Sequence, residues 1–319
     1  VVASHKKKND MLINNSNVLV TFLNSKKTIF AIFKLRKIVN EFQPDLLFST
    51  LPTPNLIVVA LKYFNLTNAK VVIREASSNY LLWEKNLINK LRKKLSVFAF
   101  KNSDGNIFIS NELRENVNKF VNNKNEIVIY NPVFTRDFYE KANHEVEYFD
   151  SDKKYWVTCS RLEHYKGLDI LFEAVEELNL DYEYEILVLG SGSKLDEYIN
   201  RFKDLPITFL GSVSNPLKYL NIADLFLFPS RREGLGNSLI EAQILGLNIL
   251  SSDCPCGPKE IVKLFSNGQL FKSGDKEDLK KKLQKIKYVE KKNVLNMNIN
   301  NFKIDYVGNQ YLKFFESLL

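Results

Sequence analysis

Two cations, Arg161 and Lys166, stand five positions apart between an apolar strand-like run and a helix-length amphipathic stretch. Arginine can bind a phosphate group through two parallel hydrogen bonds, and lysine supplies a compact positive charge. A helix predicted to begin near Gly167 would add the positive end of its dipole at the same place. The segment therefore favours phosphate binding, and a pair of exposed loop cations is the ordinary alternative.

A second segment combines carboxylates with glycines. The apolar run 225–228 leads into a loop with Glu233, Gly234 and Gly236, and a predicted helix follows with Glu241. Carboxylates accept hydrogen bonds from sugar hydroxyls, and glycines let the backbone approach a ligand closely. Amides at the start of a helix can face anionic oxygens. The alternative is that Glu233 caps the helix and Glu241 is simply exposed.

A glycine-rich turn, Gly190-Ser191-Gly192, follows another predicted strand. It does not complete the dinucleotide-binding pattern G-x-G-x-x-G, because position 195 is leucine. A tight turn and a ligand contact both remain open for it. The three cysteines are an odd, sparse set that gives no disulfide framework, and no cysteine or histidine stands near Cys254 and Cys256 to complete a zinc site.

Apolar strand-like runs alternate with amphipathic helix-length segments, the pattern of parallel sheets covered by helices on both faces. The 319 residues are long for one core and comfortable for two. We therefore predict an α/β protein with two Rossmann-like domains facing each other across a cleft, because such sheets bind ligands at the carboxyl ends of their strands. The predicted domains are residues 1–145 and 146–300, with a polar linker at Glu140–Lys154 and a packed helix in 301–319.

Positive charge is concentrated in the first half of the chain. Residues 1–145 carry 22 Lys and Arg against 12 Asp and Glu, whereas the remaining residues carry 23 against 25. Residues 83–100 form a basic amphipathic stretch, which suits docking on an anionic membrane surface. The alternative is a solvated helix whose apolar face packs in its own domain. Nucleic-acid binding is not expected, because no recognition-helix or RNA-binding motif accompanies the charge.

Together these motifs resemble the donor site of the retaining GT-B glycosyltransferases of family 4. The family signature of R-x4-K-G, a glycine-rich turn and E-x7-E occurs here as Arg161 and Lys166, Gly190 and Gly192, and Glu233 and Glu241. The stretch 253–261 resembles the bacterial branch that builds surface glycans, often with UDP-linked donors. The resemblance covers most of the chain and is strongest over 156–261. It implies that the C-terminal helix, 301–319, crosses back to the first domain.

The resemblance implies transfer of a hexosyl or N-acetylhexosaminyl group from a nucleotide sugar, UDP-linked, to a glycan or lipid-linked acceptor. Arg161 and Lys166 would neutralise the departing diphosphate. Glu233 would orient the donor sugar, and Glu241 would hold the ribose hydroxyls. Backbone amides of one loop would approach the sugar and phosphates: Gly234, Leu235, Gly236, Asn237 and Ser238.

The same resemblance implies retention of the anomeric configuration without a metal or other cofactor. A front-face displacement would let the leaving phosphate take the proton of the acceptor. A role in cell-surface polysaccharide synthesis would place the protein in the cytoplasm or peripherally on the inner face of the cell membrane.

The sequence departs from the family pattern near its start. The glycine-rich loop after the family's first strand has no counterpart, so the chain is expected to begin in the second strand and to lack about one βα unit. No histidine stands where many members carry one near the reacting sugar. Glu75, after the strand Val71–Ile73, occupies the comparable position and is predicted to act on the acceptor side.

Two other functions remain open at this point, because a fold does not fix a function. One is a nucleotide-sugar epimerase or hydrolase of the same fold. The other is a non-catalytic fragment that binds nucleotide without turnover.

Overall fold

A computed structural model of the chain describes residues 2–3, 18–23, 31–77, 86–122, 125–147, 150, 153–178, 184–265, 268–286 and 297–319. The chain divides into two compact units. The first unit consists of Val1–Ile109, Arg114–Val128 and Tyr311–Leu319, and the second of Ser110–Leu113 and Ile129–Gln310.

The first unit is built on a parallel sheet in which four strands follow one another in chain order. Two short strands, β1 (Val2–Ala3) and β2 (Thr21–Phe22), form a separate parallel pair. The sheet strands are β3 (Leu46–Thr50), β4 (Lys70–Glu75), β5 (Gly105–Phe108) and β6 (Glu126–Val128). All of β5 is buried, as in parallel sheets that are covered on both faces.

Helices connect the parallel strands, because each strand must return to the starting edge of the sheet before the next begins. They are α1 (Ala31–Phe42), α2 (Pro52–Tyr63), α3 (Leu87–Asn102) and α4 (Asn111–Asn118). Ser110, which directly precedes α4, accepts a hydrogen bond from Leu113 N–H at its Oγ over 3.2 Å. This bond satisfies one of the free amides at the start of the helix.

The second unit carries a six-stranded parallel sheet in the order β12-β11-β10-β7-β8-β9. Its strands are β7 (Lys154–Cys159), β8 (Tyr184–Leu189), β9 (Ile207–Gly211), β10 (Leu225–Phe228), β11 (Asn248–Ser252) and β12 (Gly268–Phe271). From β7 the chain winds outward to β9, then returns to the centre and winds the other way from β10. This is the strand order of a dinucleotide-binding Rossmann sheet.

Helices of the second unit alternate with these strands and bury apolar faces against the sheet. They are α5 (Phe138–Ala142), α6 (Leu168–Leu178), α7 (Leu195–Arg201), α8 (Leu217–Ile222), α9 (Asn237–Ile244), α10 (Pro258–Phe265) and α11 (Lys276–Leu283). The core around α6 contains Phe172, Tyr198 and Phe202, whose rings meet at 5.2–6.2 Å. Two Rossmann-like α/β domains are thus confirmed.

The last helix, α12 (Ile304–Glu316), ends within the first unit. The rings of Tyr311 and Phe315 lie 5.7 and 5.4 Å from the ring of Phe48. Leu318 packs against Gly105 of β5, where an added Cβ atom would stand 2.8 Å from its Cδ1. A side chain at Gly105 would therefore require the Leu318 and Phe314 side chains to shift.

The division of the chain differs from the predicted boundary at residue 145. The main segments of the first unit end at Val128. The helix α5 overlaps the predicted linker Glu140–Lys154 and packs against α8 of the second unit. Asn215 Nδ2 donates to Lys141 O over 2.8 Å, which fastens this stretch further. The polar composition of this stretch predicted a linker, but composition alone does not reveal that side chains of α5 are buried.

Within the described ranges, every helix is too short or too polar to cross a bilayer.

Candidate functional site

The residues predicted to bind phosphate lie at the carboxyl ends of β7 and β10, two neighbouring strands in the middle of the second sheet. The chain winds away from these strands in opposite directions, which is where open α/β sheets bind ligands. Arg161 and Lys166 follow β7, and Glu233 follows β10. The fold therefore brings both sequence motifs to the same edge of one sheet.

The two loops touch through their main chains. Arg231 N–H donates to Tyr165 O over 2.9 Å. Gly167 has a φ of 69°, and a Cβ atom on it would stand only 2.0 Å from Pro229 O. Because only glycine permits this approach, the backbone next to Lys166 is held against the loop that follows β10.

Lys166 and Glu233 form a buried ion pair at the centre of the site. Lys166 Nζ donates to Glu233 Oε1 over 2.6 Å, and Ser230 Oγ donates to the same oxygen over 2.6 Å. The lysine therefore compensates the buried carboxylate, which would otherwise be strongly disfavoured in a low-dielectric environment. The structure places these predicted site residues together and shows that they bond to each other.

A second ion pair holds the turn that carries Lys166. Arg231 Nη1 donates to Asp169 Oδ1 over 2.7 Å and Nη2 donates to Oδ2 over 2.8 Å. Arg231 Nη1 also donates to His164 O over 2.6 Å. Burial tends to raise the pKa of Asp169, but the two bonds from Arg231 outweigh it and hold the pKa below its ordinary value. The sequence interpretation missed this pair.

The start of α9 supplies the predicted loop of backbone amides. Gly236 precedes the helix with a φ of 88°, a conformation that favours glycine. Asn237 Oδ1 accepts a bond from Asn131 Nδ2 over 2.6 Å, and Ser238 Oγ donates to Cys159 O over 2.8 Å. The first turn of α9 is therefore fastened beside the end of β7.

The remaining two residues of this loop differ in exposure. Leu235 is buried with its side chain in the core, so it can meet a ligand only through its backbone. Gly234 is partly exposed and stands directly after the buried Glu233.

Glu241 lies on α9, one helical turn beyond Ser238, in a half-buried position. Burial raises the pKa of its carboxyl to about 7. Burial also raises the pKa of the Cys159 thiol to about 12, and the nearby Glu241 carboxylate adds to that rise. Glu241 is therefore a desolvated carboxyl close to the end of β7, near the loop with the two predicted cations.

The glycine-rich turn after β8 packs against the loop after β7. Gly190 has a φ of 133°, and a Cβ atom there would stand 1.9 Å from Ser160 O. A Cβ atom on Gly192 would lie 2.4 Å from Leu162 O. Close backbone packing, which positions the Arg161 segment, therefore already explains why glycine is required at both positions. Their predicted contact with a ligand stays a prediction.

Glu75 lies in the first unit at the carboxyl end of β4. Its Oε1 accepts bonds from Ala76 N–H (3.1 Å), Ser77 N–H (2.9 Å) and Ser77 Oγ (2.6 Å). Burial raises the pKa of the carboxyl, and the bonds from Ser77 and Ala76 oppose that rise. The carboxyl thus shapes the turn after β4, and its predicted role toward an acceptor stays a prediction.

The described part of the chain contains no cluster of three His, Cys, Asp or Glu side chains able to hold a metal ion. The residues that sequence reasoning missed, Ser230, Asp169 and Arg231, all hold other site residues in place. Their spacing carries no recognised signal, because each acts through a partner that is near in the fold.

Two parallel-sheet α/β units, with charged loops at the switch point of the second, define a chain of GT-B fold. It belongs to the family Glycosyl transferases group 1, whose sequence pattern matches residues 140–301. A second family pattern, Glycosyltransferase Family 4, matches residues 5–137.

Similar proteins occur in archaea and bacteria. An uncharacterized glycosyltransferase from Methanocaldococcus jannaschii is 27% identical over 250 residues, which cover 72% of this chain and 61% of that protein. The N-acetylgalactosamine-N,N'-diacetylbacillosaminyl-diphospho-undecaprenol 4-alpha-N-acetylgalactosaminyltransferase of Campylobacter jejuni is 26% identical over 259 residues, covering 77% of this chain and 67% of the relative. The chain thus matches about two thirds of the length of these relatives.

Solved structures share the fold. HepE of Anabaena, solved in complex with UDP, superposes with a TM-score of 0.75 at 16% sequence identity, covering 90% of this chain and 82% of that one. Similarity at this identity concerns the fold.

Proposed function

We propose that this protein transfers a hexosyl or N-acetylhexosaminyl group from a UDP-linked sugar to a glycan or lipid-linked acceptor in cell-surface polysaccharide synthesis. The observation that carries the proposal is the meeting of Arg161, the Lys166–Glu233 pair and the Glu241 helix at the switch point of one sheet. UDP in the HepE complex supports the base, and the diphospho-undecaprenol in the Campylobacter enzyme's name supports a lipid-linked acceptor.

The cations and the carboxylates of the site have different proposed roles. Arg161 and Lys166 face the diphosphate, where negative charge grows as the sugar leaves, and preorganised cations stabilise that charge. Because these cations supply the neutralising charge, we propose that transfer needs no metal. Glu233 accepts hydroxyl hydrogen bonds from the sugar, and Glu241 accepts those of the ribose.

For the reaction course we propose retention. The transition state of glycosyl transfer resembles an oxocarbenium ion. We give none of the described site residues the role of a carboxylate nucleophile. The leaving phosphate then takes the proton of the acceptor hydroxyl on the same face as the attack. Glu75 is proposed to bind the acceptor. Nuclear magnetic resonance of the product would report its anomeric configuration.

Binding of nucleotides tests the proposal most directly. Calorimetry with UDP, GDP, ADP and NAD should show selective binding of UDP by the wild-type chain. Arg161→Ala should weaken that binding at least about tenfold, because one charge-assisted phosphate contact is lost. Circular dichroism serves as the control that the variant is folded.

Turnover separates the proposed transferase from the two alternatives. A transferase forms a new glycoside only when an acceptor is present. An altered or hydrolysed sugar without acceptor would indicate the epimerase or hydrolase. Binding of UDP without any turnover would indicate a nucleotide-binding fragment, and binding of NAD in place of UDP would contradict the donor site.

The surface of α3 supports a membrane-bound acceptor. Leu87, Ile88, Leu91 and Leu95 are 82%, 64%, 58% and 39% exposed. Lys90, Arg92 and Lys94 are exposed on the same turns. The first half of α3 therefore presents apolar and basic side chains outward. Fully buried side chains occur in its last turns, at Ala99 and Phe100. We propose that this surface docks on anionic lipid at the inner face of the cell membrane.

Liposome co-sedimentation tests this docking. Binding should require anionic lipid and weaken as salt is added, because the lysines act through screened attraction. Leu87→Ser combined with Leu91→Ser should weaken partitioning about tenfold, since two apolar side chains no longer enter the interface. Leu312→Ser, an equally exposed leucine on α12, is the matched control. Equal binding to neutral vesicles would contradict the proposal.

A further inference from the structure

The two loops at the switch point carry four cations, and two of them are already committed to carboxylates. Lys166 bonds to the buried Glu233, and Arg231 forms a two-bond pair with Asp169. Breaking either pair would leave a buried or half-buried carboxylate without its cation, which is strongly disfavoured, so Lys166 can serve a ligand only with the N–H groups that its bond to Glu233 leaves free.

The other two cations, Arg161 and Arg232, have no carboxylate within ion-pair distance among the residues that the structure describes. The acid nearest to Arg161 in sequence, Glu163, accepts bonds from Ser193 through N–H (3.1 Å) and Oγ (2.8 Å), and the one next to Arg232, Glu233, is bonded to Lys166 and Ser230. The bonds from Ser193, first of all, hold the pKa of Glu163 below its ordinary value, and Arg161 adds to the effect. Arg161 and Arg232 are therefore the uncommitted positive charges of the site.

Both arginines lie at the aromatic ring of Tyr165. The guanidinium carbon of Arg161 lies 5.6 Å from the centre of the Tyr165 ring, and that of Arg232 lies 5.2 Å from it. A ring face attracts cations, and a planar guanidinium stacks on it readily. The main chain at Tyr165 is held in place, because its carbonyl oxygen accepts the Arg231 N–H. Lys166 Nζ lies 5.5 Å from the same ring centre, so Tyr165 has three like charges around it although they repel, and in the described part of the chain only the two arginines lack a carboxylate partner.

We propose that Arg232 is a phosphate-binding residue and forms, with Arg161 on Tyr165, a clamp for the diphosphate of the donor nucleotide. This inference rests on the proposed function and refines its phosphate site. A diphosphate brings one negative charge on each phosphate, and two uncommitted arginines match it. Lys166 then remains on Glu233 and acts at the sugar end of the diphosphate.

A diphosphate could also come from a lipid-linked acceptor. The position of the clamp favours the nucleotide, because Glu241 and the first turn of α9 lie beside the same strand end in the same unit. Both ligands share the diphosphate chemistry, so the test includes a probe for each.

Calorimetry of Arg232→Ala tests the clamp with the most tightly bound of UDP, GDP and ADP, and with inorganic pyrophosphate. We expect affinity for both to fall about tenfold or more. Tyr165→Leu, which removes the ring, should weaken binding more than Tyr165→Phe, which keeps it. Arg201→Ala is the matched control: Arg201 also stacks on a ring, at 4.8 Å from Phe202, but pairs with Glu173 away from the site.

The outcomes separate this inference from the proposed function. If wild type binds neither nucleotide nor pyrophosphate, the proposed function and the clamp are both overturned. If wild type binds the nucleotide and Arg232→Ala binds it equally well, only the clamp is overturned. Loss of short-chain isoprenyl diphosphate binding with unchanged nucleotide binding would assign Arg232 to the acceptor and overturn the clamp as stated.

Discussion

Lys166→Ala should lower the rate constant of sugar transfer by about 10²–10³-fold, because it removes a preorganised charge next to the leaving group. It should also destabilise the fold by about 3–5 kcal/mol, since Glu233 is left buried without its cation. Ser230 still donates to Glu233 Oε1 and offsets part of the loss. Steady-state kinetics and urea unfolding of the same preparations measure the two effects.

A double variant separates the structural role of Lys166 from its catalytic role. Adding Glu233→Gln to Lys166→Ala removes the uncompensated charge, so the free energy of unfolding should recover toward the wild-type value. The transfer rate should stay low, because neither the cation nor the carboxylate is restored. If the double variant also regains transfer, Lys166 serves only the fold and its proposed role in catalysis is wrong.

The elements of the fold follow closely from local sequence pattern. The periodicity of apolar residues predicts a helix over Leu168–Leu178, and α6 has these same bounds. Serine is a preferred N-cap residue, so Ser110 predicts the start of the helix that follows it, and its bond to Leu113 at the start of α4 confirms that prediction. These predictions succeed because a helix period or a cap depends on residues within a few positions of one another.

The bonding inside the site could not be predicted in this way. The sequence placed Lys166 and Glu233 against different parts of a ligand, yet they bond to each other across 67 positions. Arg231 and Asp169, 62 positions apart, gave no signal at all. Each pair forms because β7 and β10 are neighbours in the sheet, and only the strand order makes them so.

Exposure of a helix face is a second property that local pattern leaves open. The sequence of α3 is equally compatible with an apolar face that packs and with one that is exposed. The structure buries Ala99 and Phe100 at the end of α3 and leaves Leu87 at its start 82% exposed. Burial depends on which elements lie next to the helix, and a spacing rule contains no such information.

The raised pKa of Glu241 leads to the second large expected effect. Its carboxyl has an ordinary pKa of 4.5 and a pKa of about 7 in the fold, because burial disfavours the charged form. The folded state therefore binds the proton more tightly than the unfolded state, and this contribution to stability is lost as pH rises from about 4.5 to 7. Glu241→Gln cannot ionise and escapes that loss.

We therefore expect Glu241→Gln to stabilise the unliganded protein relative to wild type, by an amount that grows by about 2–3 kcal/mol between pH 5 and pH 8. Urea unfolding at the two pH values measures the difference. Glu197→Gln, at a half-exposed carboxyl on α7, is the control and should show no comparable trend. A constant difference between Glu241→Gln and wild type would show that the carboxyl is not desolvated.

The same variant should bind nucleotide about 10–100-fold more weakly at pH 8, because a carboxylate accepts two ribose hydroxyl bonds more strongly than an amide does. Those bonds favour the ionised form, so wild type should release a proton on binding near pH 7, and its affinity should fall below that pH. Calorimetry in buffers of different ionisation enthalpy measures the proton. Proton release by Glu241→Gln equal to that of wild type would assign it to another group. If Glu241 binds the ribose as proposed, the charge that destabilises the unliganded fold as pH rises is the charge that the nucleotide uses, and binding should recover the stability that ionisation of Glu241 removes.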